Sequence, residues 1–155
     1  MTELSHYRLS RNLRAASFGL FLVLVGVFLA AYPLVEESRS FFRDLRPAPI
    51  FDQVYYPAPS SPHPLFYHIL SIFSIIWGGW LGLLVIIQLV VKDRPRRVAH
   101  TLGDCIFWIG AWYFLDKLAA AALSFGSFLS VMIVVVGVSL IVRALTLAGL
   151  EGLRH

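Results

Sequence analysis

Asp104 and Arg143 stand out because each interrupts an apolar run long enough to cross a bilayer. A charge at that depth is costly, which makes it a functional candidate by default. Asp104 lies six residues inside one run and Arg143 six residues before the end of the next. At a rise of roughly 1.5 Å per residue, both are roughly 9 Å deep. A turn of a few residues joins the two runs, so their helices are antiparallel neighbours and an Asp104–Arg143 ion pair is expected, relieving most of the cost of each charge. The pair supports two kinds of chemistry. It can be a strut that locks two helices, or a stage in a proton or ion relay with His100 at i−4 from Asp104 and Ser139 at i−4 from Arg143. Thr146 extends the polar stripe. A carrier also needs a second cluster near the midplane, and the sequence offers none.

Other candidate groups point to packing first. Trp77, Trp80, Trp108 and Trp112 fall in mid-span rather than in interfacial belts. Their depths agree in pairs, so an aromatic layer with Phe107, Tyr113 and Phe114 is expected between the second and third runs. A groove for a lipid, quinone or isoprenoid tail is the alternative. Ser74, Gly78 and Gly82 form a small-xxx-small series that lets another helix approach closely, within the chain or between copies. Gly79 broadens that face, and Gly19 and Gly26 share one side of the first run. His68 and His100 sit at opposite ends of their spans, roughly 30 Å apart, too far to hold one haem. His63 and His68 lack a cysteine or carboxylate at ligand spacing, so no metal site is expected. Asp116 and Lys117 read as a solvated helix end, Lys117 being long enough to snorkel. Cys105 is the single cysteine, excludes a disulfide framework and reads as packing. No paired-carboxylate site, Gly-rich phosphate loop or HExxH motif occurs, so no catalytic residue is assigned.

The elements that must position these residues follow from composition. Of 155 residues, 58% are hydrophobic and 14% charged, against about 45–50% and 25% in ordinary soluble domains. With a mean hydropathy of +0.75, this excludes a soluble globular protein, a disordered chain and a nucleic-acid binder. The net charge of +4 sits at the ends of apolar runs, not on one face. Four runs, 15–35, 65–91, 98–124 and 127–149, meet the roughly 20-residue length of a membrane helix. The expected fold is a single all-α membrane domain, a four-helix transmembrane bundle spanning the chain. No segment alternates as a barrel strand would. The first run exceeds the roughly 7–15 apolar residues of a signal peptide, so it is expected to be retained.

Eight Lys and Arg fall on the side of the termini and loop 92–97, counting Arg8, Arg11, Arg14 and Arg154, against four on the other side. Both termini are therefore expected in the cytoplasm and the 36–64 loop outside, in a multi-pass plasma-membrane protein. Within that loop, residues 36–46 suit a short amphipathic interfacial helix. The prolines from Pro47 to Pro64 favour extended, polyproline-like chain. Phe51, Tyr55 and Tyr56 suit the headgroup level, so the loop is expected to form an interfacial lid. The halves show no internal repeat, which gives an inverted-repeat transporter no support.

Three parts of the sequence, GVSLIVRA at 137–144, the segment from VYYPAP at 54–59 to HPLFY at 63–67, and IFWIGAWYF at 106–114, resemble small, uncharacterised four-span integral membrane proteins of archaea. The resemblance implies an archaeal plasma membrane and carries across no activity and no site residue. The expected function is a non-catalytic accessory or scaffolding subunit of a larger membrane assembly. A small oligomeric channel or transporter is the alternative, with a lipid- or quinone-handling protein behind it. Expected partners are membrane lipids and either other membrane subunits or further copies of the chain, with no nucleic acid and no cofactor beyond bound lipid.

Overall fold

The computed structural model describes residues 2–30, 32–51 and 54–152. Along the chain run α1 (Thr2–Ala30), α2 (Tyr32–Arg43), β1 (Leu45–Phe51), β2 (Val54–Pro59), α3 (Pro64–Val90), α4 (Pro95–Ala119) and α5 (Phe125–Gly152). The protein is thus mostly helical. Two compact units divide it, Met1–Val35 and Glu36–His155. Arg154, part of the Lys and Arg count, lies outside the described residues, as do the side chains of Arg8, Arg11, Arg14 and Phe51.

In the first unit, α1 carries its basic residues and its apolar run on one continuous helix of 29 residues. The apolar part, Ala15–Ala30, is shorter than the expected 15–35 run. A new helix opens at Tyr32 with Pro33 in its first turn, where a missing N–H is tolerated although it would break a helix interior. Of the four spans expected, two are met among the described residues by helices long and apolar enough to cross a membrane, Pro64–Val90 and Phe125–Leu150.

In the second unit, α4 lies between α3 and α5 and packs on both. Prolines set the starts: Pro64 and Pro95 occupy the first turns of α3 and α4, and Arg94 before Pro95 is extended, as the ring of a following proline requires. The stops are less usual. Lys92 and Ala121 adopt positive φ, 55° and 54°. The Asp93 amide donates to the Gln88 carbonyl and the Ala122 amide to the Lys117 carbonyl, at 2.9 and 3.0 Å. Both ends are Schellman caps built without the customary glycine. α4 therefore ends at Ala119 although the apolar sequence continues to 124.

The proline-rich segment is extended, as expected, but it pairs with itself. β1 and β2 form an antiparallel two-stranded sheet with Leu45 opposite Pro59, Pro47 opposite Pro57 and Pro49 opposite Tyr55. Every one of these prolines shares one parity, alternating with Arg46, Ala48, Tyr56 and Ala58. Antiparallel pairs alternate between hydrogen-bonded and non-bonded sites. The Ser60 amide donates to the Asp44 carbonyl at 3.2 Å, which fixes the even-numbered β1 residues as the bonded set. The prolines thus stand only where a ladder needs no N–H.

The buried core sits where this hairpin meets the helices: Phe41 of α2, Phe66 and Tyr67 of α3, and Leu115 and Leu118 of α4. Phe41 stacks on Phe66 at 4.6 Å. Phe125 at the start of α5 stacks on Tyr56 at 6.4 Å. A Cβ on Gly126 would fall 2.7 Å from the Tyr56 hydroxyl, so a larger residue there would have to push the tyrosine aside.

Candidate functional site

Polar side chains gather at both ends of the α3–α4–α5 layer. At the end away from the hairpin, Arg143 Nη2 donates to Asp104 Oδ1, joining α5 to α4. The approach depends on Gly103. A Cβ there would overlap Arg143 Nε, Cγ and Cδ, so the arginine lies across bare backbone. The Arg143 side chain is 28% exposed and that of Asp104 50%. Arg143 Nε is buried and has no hydrogen-bond partner among the described residues.

The other residues of the proposed relay do not join this pair. Ser139 is buried, and its hydroxyl donates to the Val136 carbonyl of its own helix at 2.8 Å. His100 is exposed and makes no hydrogen bond or ion pair among the described residues.

The small-residue series lies inside the chain. A Cβ on Gly78 would meet Trp108 and Ile109 of α4 at 3.3 Å, and one on Gly82 would meet Cys105 Sγ at 3.5 Å. Ser74 is buried, its hydroxyl donating to the Leu70 carbonyl at 2.7 Å. Gly79 alone of this group faces open space. Trp77, Trp80, Trp108 and Trp112 are all half-buried. The Trp108 ring packs edge-on against Phe73 at 5.8 Å and Phe107 at 5.5 Å.

At the hairpin end the fold assembles a cluster that the sequence reading did not find. His63, the residue before α3, is buried. Its Nδ1 lies 3.4 Å from Glu37 Oε1 of α2, and its Nε2 3.3 Å from Asp44 Oδ2 at the entry to β1. Phe41 packs edge-on against the imidazole at 5.5 Å. Asp44 also accepts from the Ser60 hydroxyl, and from the Ser61 hydroxyl and amide at 2.5 and 2.7 Å. Those bonds, the one from Ser60 above all, hold the Asp44 carboxyl well below the usual carboxylate range. Nothing in the spacing of residues 37, 44, 60, 61 and 63 announces the cluster. Hairpin register brings them together.

Ser61, His63 and Glu37 are the residue types of a hydrolase triad, but the arrangement is not one. The Ser61 hydroxyl donates to Asp44, and its oxygen is 3.4 Å from His63 Nε2, itself shared with Asp44. A nucleophile must give its proton to the base. Among the described residues no group of His, Cys, Asp and Glu is arranged to hold a metal ion.

No protein-family model matches the chain, and no curated protein or solved structure shows significant similarity to it.

Proposed function

We propose that the protein is a multi-pass membrane protein in which α1, α3, α4 and α5 cross the bilayer, with cytoplasmic termini and the hairpin outside, and that it serves as a non-catalytic accessory or scaffolding subunit of a larger membrane assembly. The observation that carries this reading is the state of the Asp104–Arg143 pair. The Asp104 carboxylate that meets Arg143 stays half exposed. Lipid tails offer no donor, so a donor on a neighbouring subunit would complete the carboxylate's hydrogen bonding. The long apolar outer face of α5, with Ile133, Val134, Ile141 and Leu145 exposed, suits lipid or another membrane helix equally.

Purification in mild detergent followed by mass spectrometry of co-purifying proteins tests the assignment. A discrete set of membrane partners, lost on Arg143→Leu, is expected. A homo-oligomer alone would replace it with the channel reading. Topology is checked separately by a cysteine at Ser60. Labelling in intact cells is expected, and labelling only after lysis would overturn the orientation.

A further inference from the structure

We infer that His63 is a proton-operated latch that fastens α2 and the hairpin to the start of α3 when its imidazole is charged, and releases them when it is neutral. A carboxylate flanks each ring nitrogen. Glu37 Oε1 faces Nδ1 and Asp44 Oδ2 faces Nε2. A neutral imidazole carries one N–H, so it can serve one carboxylate and must present a lone pair to the other. An imidazolium donates to both, and hydrogen bonds between ionised partners are the strong ones. His63 is buried, so water does not readily take over the bond that a neutral ring gives up.

All three elements of the hairpin end meet at this residue. Glu37 is on α2, Asp44 lies between α2 and β1, and His63 itself is the N-cap of α3, its carbonyl accepting from the Tyr67 amide at 3.2 Å. The ionisable groups around the imidazole are Glu37, Asp44 and, from α3, Tyr67, which is electrostatically coupled to Asp44. Ser60 and Ser61 bring hydroxyls. Packed next to Phe41 and Tyr67, α4 and α5 contribute the apolar Leu115, Leu118 and Phe125. Asp44 stays ionised throughout the range in which an imidazole titrates, because its serine partners hold its carboxyl low.

The latch also has something to release. Phe41, on the helical turn that follows Glu37, is buried against Phe66 and Tyr67. Loosening α2 would draw this ring out of the core and expose the first turns of α3.

Hydrogen–deuterium exchange of the full chain in detergent micelles, between about pH 5 and 8 where imidazoles titrate, tests the latch once rates are corrected for intrinsic base catalysis. Protection of residues 36–43 and of the hairpin is expected to fall roughly tenfold with rising pH, the size of one charge-assisted hydrogen bond. Protection at the α4–α5 contact is expected to stay level. The fall should coincide with deprotonation of His63 followed by nitrogen-15 NMR, and Glu37→Gln should flatten it. Protection that is level with pH or rises with it in the wild-type chain would overturn the proposal. So would the same fall in His63→Phe.

Discussion

The His63 cluster and the Asp104–Arg143 pair both set nitrogen groups against carboxylates, yet they are built in opposite ways. At the hairpin end Asp44 accepts from two hydroxyls, an amide and an imidazole. At the other end a single arginine nitrogen meets a single carboxylate oxygen across two helices. A many-partnered carboxylate beside water can lose one bond and keep the rest. The single contact between α4 and α5 has no substitute donor among the described residues. The same chemistry is therefore adjustable in one place and all-or-none in the other.

The sharpest way to break this contrast is to remove one member of the lone pair. Asp104→Leu leaves Arg143 uncompensated and should cost stability, by less than the about 3–5 kcal/mol of a fully buried pair because Asp104 is half exposed, read from denaturant unfolding in detergent. Adding Arg143→Leu should restore most of the loss, because no unpaired charge remains. If the double variant is as unstable as the single one, the pair is not the strut that this contrast assumes. Should it be stable but abolish flux in proteoliposomes, the charges serve transport.

Gly103→Ala comes next. The added methyl must displace Arg143 from its seat, and overpacking of this kind typically costs about 1–3 kcal/mol. The penalty should largely vanish in an Arg143→Leu background, since the clashing atoms are gone. A double-mutant cycle measures the coupling directly.

Acid sharpens the comparison from the other side. The Asp44 carboxyl is depressed from its ordinary 3.8. Its contribution is therefore complete above that value and is lost as pH falls through the lower value it has in the folded protein. Near-ultraviolet circular dichroism of the Phe41–Tyr67 cluster should stay constant down to about pH 4 and decay below it, with Asp44→Asn showing no such step.

The smallest effect concerns the helix ends. Lys92 and Ala121 hold left-handed backbone, which costs an L-residue roughly 1–2 kcal/mol. Part of that should be recovered by Lys92→Gly or Ala121→Gly, seen as a modest rise in the thermal midpoint with both polar clusters intact.

The sequence makes α3 and α5 legible to within a few residues, because unbroken apolar length is a strong signal and prolines mark where α3 must begin. It also makes Asp104 and Arg143 legible as a pair, since equal depth on neighbouring antiparallel helices is simple arithmetic. It misplaces the end of α4, where the cap uses Ala121 and no glycine signals a stop. Pairing of the proline-rich segment was missed because proline density reads as unpaired chain. The signal lies in the spacing, with Pro47 and Pro49 two apart, as are Pro57 and Pro59. His63 could not be assigned at all. Its partners come from three elements whose meeting depends on strand register, a property that no local spacing encodes.

That proline spacing also determines what the hairpin cannot do. A two-stranded ribbon has two open flanks, and each would ordinarily present a row of outward N–H groups to any passing strand. Here Pro47 and Pro49 remove them along β1, and Pro57 and Pro59 along β2, leaving Leu45 and Tyr55 as the only outward donors at those positions of the paired register. An incoming strand would find carbonyls to donate to and almost nothing to accept from. The ribbon is closed to templated growth, so an extended segment with exposed Tyr55 can sit outside the helices without seeding aggregation.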